Sequence, residues 1–95
     1  MTHVIMATLK IKDGKLAEAL KILKDFAAWI AQNEPGTLQY AIHTVKGKEK
    51  DTIVVYERYK DIDAFQVHGK HLSERAGGLM ALLDGGLDIK TLVDA

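Results

Sequence analysis

The chain changes its hydrophobic period sharply at residues 33–36. Over residues 15–33, Leu16, Leu20, Leu23, Ala27 and Ile30 recur every three or four positions, with Lys21, Lys24 and Asp25 opposite. That spacing predicts an amphipathic helix with a narrow apolar stripe. Then comes Asn33-Glu34-Pro35-Gly36, with the only proline of the sequence. Proline cannot continue a helix, and glycine supplies the turn. From residue 37 to 45 the period drops to two: Leu38, Tyr40 and Ile42 alternate with Gln39, Ala41 and His43, a strand with one apolar face. A helix with a stripe to bury, joined by four residues to a strand with a face to bury, points to a layered fold of helix on sheet.

The remaining segments extend this scheme. Residues 3–11 alternate, with Ile5, Ala7, Leu9 and Ile11 on one face and Val4, Met6, Thr8 and Lys10 on the other. Lys12-Asp13-Gly14 reads as a turn, with Asp13 placed to cap the helix. Ile22 and Trp29 lie off the stripe, either as the shoulder of the core or as a contact with a second subunit. Residues 46–50 form a charged hairpin loop, and residues 51–60 a third strand rich in β-branched side chains. Asp61 is placed to cap a helix through Ala64, Phe65 and His68, which Gly69 is expected to interrupt. Helical character resumes over 71–83, with Gly77-Gly78 in its middle suggesting either a bend in the helix or, with Ala76 and Ala81, space for a flat ligand above the sheet. Residues 87–93 alternate as a last strand. The order is β-α-β-β-α-β: an α+β, ferredoxin-like split βαβ fold, with an antiparallel sheet and both helices on one face. The span 1–95 reads as a single domain with a thin core. The other face of the sheet still carries Val4, Met6 and Val54 or Val55. Left bare it would be a large apolar patch, and packing two copies sheet to sheet would cover it, so a homodimer is expected.

Composition removes several functions. Thirteen basic residues balance thirteen acidic ones, which gives no electrostatic pull toward nucleic acid or an anionic membrane. With no cysteine, disulfides, thiol catalysis and Cys-ligated metals are excluded. The first ten residues are too short and too polar for a signal peptide, and no run reaches membrane-spanning length. A cytoplasmic location is the expectation.

Chemistry concentrates in residues 51–71. Glu57 and Tyr59 share one side of a strand end, and His68 and His71, three apart, share a helix face. Each also has a plain reading. His68 fits a hydrogen-bonded residue at the core edge, and His71 a cap or surface residue at a helix junction. Glu57 fits a salt bridge to Arg58 or to a partner chain, while Tyr40 and Tyr59 fit core packing. His3 and His43 are expected to face solvent. No further ligand is spaced to complete a metal site with the two histidines.

Three blocks occur in order: Glu34-Pro35-Gly36-Thr37-Leu38-Gln39-Tyr40, then Tyr56-Glu57-Arg58-Tyr59, then Ala64-Phe65 followed by His68 and His71. Together they resemble the antibiotic biosynthesis monooxygenase domain family of the dimeric α+β barrel superfamily, over nearly the whole chain. The resemblance implies a dimeric barrel and one of several activities. Some members oxygenate anthrone- or quinol-like aromatics with O2 and neither metal nor flavin. Some degrade haem. A similar branch isomerises a small phosphorylated signalling sugar. The haem branch relies on an asparagine, a tryptophan and a histidine ligand at positions that fall here near Ala7, on His68 and near Gly78, and all three are missing.

A cofactor-free oxygenase needs a base, an oxyanion donor and a dry pocket. His68 is the first choice of base and His71 the second. Tyr59 or Tyr40 is the donor, and Glu57 orients a histidine. No cofactor and no metal are expected, and the partner is a small-molecule substrate. The isomerase alternative needs a phosphate site, for which Lys70 or Arg75 beside His71 would serve. A third alternative is a non-catalytic binding module. An apolar pocket favours the first, a basic pocket the second, and a filled core the third.

Overall fold

A computed structural model describes residues 2–95; Met1 lies outside the described residues. These residues form β1 (His3–Lys10), α1 (Leu16–Asn33), β2 (Thr37–Thr44), β3 (Thr52–Tyr59), α2 (Ile62–Arg75), α3 (Gly77–Met80) and β4 (Asp88–Leu92). The strands make one sheet in the order β2-β3-β1-β4, antiparallel throughout. This is the expected ferredoxin-like arrangement. No helix among the described residues is long and apolar enough to cross a membrane.

Register decides what the helices meet. Ile5 pairs with Glu57, Ala7 with Val55 and Leu9 with Ile53, while Tyr40 and Ile42 pair with Glu57 and Val55 from the other side. Directly paired residues share a face, so Glu57 stands between Ile5 and Tyr40 on an otherwise apolar surface. The helix α1 covers that surface with Ala19, Leu23, Phe26 and Ile30. The stripe is thus rotated from the expected one: Leu16, Leu20 and Ala27 are only half-buried. Ala19 permits close approach, and Phe26 fills the space beside it. Trp29 sits at the shoulder of the core, its ring 6.1 Å from that of Phe26.

Other local expectations are corrected. Asp13 does not cap α1. Lys15 holds the N-cap position without a side-chain bond, and the Asp13 carboxylate lies 3.8 Å from the Lys50 ammonium, both exposed. Leu38 does not join Tyr40 and Ile42 on the inner face. A register shift between Thr37 and Gln39 places a bulge there, and Leu38 is 54% exposed; an extra residue in one strand breaks the alternation.

Asp61 caps α2 as expected, its carboxylate accepting from the Ala64 amide at 2.8 Å. Gly69, however, does not interrupt the helix, which runs unbroken to Arg75. Phe65, His68 and Leu72 hold one face of it against the sheet and α1, which offsets the weak helix preference of one glycine. The break comes instead at Ala76 (φ −121°, ψ 29°), and Gly77 and Gly78 open the single turn α3 rather than lying inside a longer helix. A methyl group at Gly69 would meet nothing within 4 Å. Gly69→Ala is therefore expected to stabilise the protein by about 0.5–1 kcal/mol. Urea unfolding checks this, and a lower midpoint would contradict it.

On the sheet face away from the helices, Val4 is buried among its neighbours, and Met6, Val54 and Tyr56 are half-buried. Val55 belongs to the helix side, 1% exposed.

Candidate active site

The polar cluster grows from the end of α1. Glu34 is the C-cap residue of that helix, and its carboxylate turns inward until the side chain is only 2% exposed. Four side chains make up the group. Thr37 Oγ1 donates to Glu34 Oε1 at 2.7 Å, His68 Nδ1 lies 3.1 Å from the same oxygen, and His71 Nδ1 lies 2.7 Å from Oε2. Burial pushes the Glu34 carboxyl upward, but the hydrogen bonds from Thr37 and His71 and the nearby His68 outweigh it and hold it below the usual range. An ionised carboxylate only accepts, so each histidine presents Nδ1–H to it.

His68 is buried between three aromatic rings, those of Phe26, Tyr40 and Tyr59, with centroids 5.1–5.4 Å away. Burial pushes its pKa down, with Glu34 acting against the fall. The ring is thus neutral near pH 7. Since Nδ1 carries the hydrogen, Nε2 is left with a lone pair, 3.9 Å from Glu57 Oε1.

Glu57 is the second buried acid. Burial pushes its carboxyl up, the hydrogen bond from Tyr59 pulls it back, and the Glu34 charge adds to the rise, leaving it at about 7. Tyr59 donates its hydroxyl to Glu57 Oε1 at 2.5 Å. Burial and the neighbouring carboxylates push Tyr59 and Tyr40 well above the ordinary phenol value, so both remain hydrogen-bond donors.

Beside this cluster lies a cavity of about 100 Å³ between the sheet, α2, α3 and residues 87–89. Its polar wall is Tyr40, Glu57 and His68; the rest is apolar, including Leu23, Phe65, Leu72 and Leu79, with Met80 and Ile89 half-exposed at its edge.

The five residues singled out from the sequence therefore divide. Tyr40, Glu57 and His68 reach the cavity wall. Tyr59 stands behind Glu57, fully buried. His71 lies inside α2, not at a helix junction, and faces outward across Glu34, its ring 4.7 Å from that of Trp29. Glu57 forms no pair with Arg58, which bonds the Tyr56 hydroxyl at 2.8 Å. His3 does not face solvent freely: its ring packs 4.9 Å from that of Phe65. His43 is exposed, as expected. Lys70 is exposed, and the Arg75 guanidinium lies 4.0 Å over the Trp29 ring; neither lines the cavity. Gly77, Gly78 and Ala81 do not line it either, and a methyl group at Gly78 would touch Ile22 at 3.7 Å. Among the described residues no group of three or more His, Cys, Asp or Glu is arranged to hold a metal ion.

Glu34 was missed as a site residue. The signal for it was electrostatic. A glutamate at a helix C-terminus opposes the helix dipole, and α1 has no basic residue in its last turn to offset it.

A split βαβ sheet with an apolar cavity, walled on one side by a buried histidine and a buried acid, defines a small α+β protein with a candidate ligand site. Residues 2–76 match the pattern of the antibiotic biosynthesis monooxygenase family, and the chain belongs to that family. It is similar to a Caulobacter crescentus protein provisionally named an antibiotic biosynthesis monooxygenase. The identity is 30% and the TM-score 0.89, covering 99% of this chain and 90% of that one. A Nitrosomonas europaea protein with the same provisional name shares 15% identity and a TM-score of 0.86, covering 96% and 88%. A conserved Methanosarcina mazei protein shares 19% identity and a TM-score of 0.85, covering 97% and 91%. The last two similarities speak to the fold alone. No curated protein matches the chain.

Proposed function

We propose that residues 1–95 act as one domain, a cofactor-independent monooxygenase for a small hydroxylated aromatic of quinol type. The observation that carries this reading is the convergence of Tyr40, Glu57 and His68 on one wall of an otherwise apolar cavity. A flat apolar ring suits the hydrophobic walls, and its hydroxyl suits the polar one. Size narrows the class. An engineered cavity of about 150 Å³ takes up benzene, so about 100 Å³ sets a single ring as the upper bound, with the hydroxyl group away from the polar wall reaching toward the half-exposed edge at Met80 and Ile89. A fused tricyclic substrate would require the wall at Met80 and Ile89 to open.

In this reading His68 Nε2 takes the hydroxyl proton of the substrate, and Tyr40 donates to the phenolate that forms. The phenolate passes one electron to O2. Superoxide and the ring radical combine at a ring carbon to give a peroxide. His68 returns its proton to the peroxide; the O–O bond then breaks as the C–H bond at the oxygenated ring carbon is lost, one oxygen staying as a carbonyl and the other leaving as water that carries both protons. For a hydroquinone, the products are a hydroxyquinone and one water. The mostly apolar lining disfavours water beside the radical pair.

The isomerase alternative gains no support from the cavity wall. A phosphate there would meet the Glu57 carboxyl and apolar side chains, with Lys70 and Arg75 outside. Oxygen uptake by the purified protein over a panel of single-ring dihydroxyarenes tests the proposal. Saturable uptake above the spontaneous rate is expected; uptake at the spontaneous rate throughout would remove the oxygenase reading.

The domain is further read as a homodimer packed through the sheet faces that carry Met6 and Val54. Light scattering should then give twice the 10.5 kDa of one chain. Met6→Glu, which buries a charge at that contact, should shift the protein to monomer. A wild-type monomer at micromolar concentration would contradict this.

A further inference from the structure

We infer that Glu34 is the positioning residue of this site: it fixes His68 as the Nδ1–H tautomer and so turns the Nε2 lone pair toward the cavity. The inference rests on the proposed oxygenase reading only for its kinetic consequences.

The geometry leaves His68 little choice. Its Nδ1 meets Glu34 Oε1 at 3.1 Å, where both side chains are almost fully buried and no solvent competes. The carboxylate is itself held at both oxygens, by Thr37 on Oε1 and by His71 on Oε2. Rotation of Glu34 would break two short bonds at once. The remaining ionisable groups near His68 are Glu57, 3.9 Å from Nε2, the phenols of Tyr40 and Tyr59, and His71 on the far oxygen of Glu34. None of them contacts Nδ1. Glu34 is thus the group that decides which ring nitrogen is free. As Nε2 gains a proton, the carboxylate also stabilises the imidazolium, the role an acid plays behind the histidine of a catalytic triad.

His71 has a separate part in this arrangement. It neither lines the cavity nor touches His68's free nitrogen; it holds Oε2 from the outer side, with its side chain 24% exposed. Two donors, Thr37 and His68, converge on Oε1, against one on Oε2. In Glu34→Gln the amide oxygen is therefore expected to stay with Thr37 and His68, while the amide NH2 turns to His71. His71 must then accept and change tautomer, and His68 should not.

The test is ¹⁵N NMR of the histidine side chains at pH 8, in the wild type, Glu34→Gln and Glu34→Ala. The expected result has His68 with Nδ1–H in the wild type and in Glu34→Gln, and shifted toward Nε2–H in Glu34→Ala. On the kinetic side, Glu34→Ala should lower kcat by up to about 10⁴-fold with little change in KM, the order expected when the carboxylate behind a catalytic histidine is disabled, while Glu34→Gln, which keeps the His68 tautomer, should lose less. A wild-type His68 carrying Nε2–H would overturn the inference without any variant, should Glu34→Ala fail to fold. A Glu34→Ala protein that keeps Nδ1–H on His68 would overturn it too. Absence of oxygen uptake in a wild type that has the Nδ1–H form would count against the oxygenase reading and leave the positioning role standing.

Discussion

Glu57→Gln is expected to be more stable than the wild type at pH 8 by about 3 kcal/mol and no more stable at pH 4. The folded protein keeps a proton on Glu57 up to about pH 7, whereas the ordinary value is 4.5. Between those values the folded state binds a proton that the unfolded chain has released, so stability falls as pH rises through the window. The gap corresponds to about 3 kcal/mol, which is lost in full above pH 7. A glutamine cannot ionise, its oxygen still accepts from Tyr59, and the loss disappears. His68 works in the opposite sense. Its folded pKa lies below 6.5, so the unfolded chain takes up a proton first and stability falls as pH drops below about 6.5. Glu34, held below its ordinary 4.5, adds a further loss in more acidic solution. Those two slopes remain in Glu57→Gln. For a domain of this length the gain at pH 8 amounts to roughly 10 °C or more in Tm. Thermal unfolding at pH 4, 6 and 8 reads it directly, and equal Tm values for the two proteins at pH 8 would show that Glu57 ionises without cost.

His68→Gln is expected to lower kcat about 100- to 10,000-fold, the usual contribution of a positioned base, while KM moves little. Glutamine keeps a donor for Glu34 and roughly the same occupancy of the space between Phe26, Tyr40 and Tyr59, but it has no lone-pair nitrogen to accept a proton. His68→Ala should lose as much and recover part of the rate on addition of imidazole, because the deletion leaves a space of the right shape beside Glu34. Steady-state kinetics with and without imidazole separate the two roles. A rate in His68→Gln within a few-fold of wild type would move the base to Glu57, the other proton acceptor on the cavity wall. Glu57 is then already in place, with its pKa near 7.

The fold was readable because its periods are clean. The change from a spacing of three and four to a spacing of two at Pro35 separates α1 from β2, and the alternation in β1 and β3 puts Ile5, Ala7, Leu9, Ile53 and Val55 on one face. Local breakers carry less information than the periods do. Gly69 looked like an interruption, yet packing on one face carries a helix through a single glycine. Leu38 fitted the alternation by type, but a bulge is set by the pairing of two strands, which one strand's pattern does not encode. At the site, Glu57, Tyr40 and His68 were legible because each sits on an element whose face could be assigned. The outward position of His71 was not, since residues three apart on a helix differ by about 60° in direction, enough for one to reach the core and the other its rim. Glu34 was hidden for another reason. Its partners lie 34 and 37 residues away, and only the docking of α2 across the end of α1 brings them together.

The most direct test of the account is isotopic. The protein is incubated with a single-ring hydroquinone under ¹⁸O₂, and the product is reduced at once to the trihydroxyarene, so that ring oxygens do not exchange with water before mass analysis. A monooxygenase in which His68 activates the substrate hydroxyl predicts one ¹⁸O atom per product molecule, with the second in water. A quinone formed without label and with hydrogen peroxide as co-product would contradict it, because O2 would then have served only as an electron acceptor.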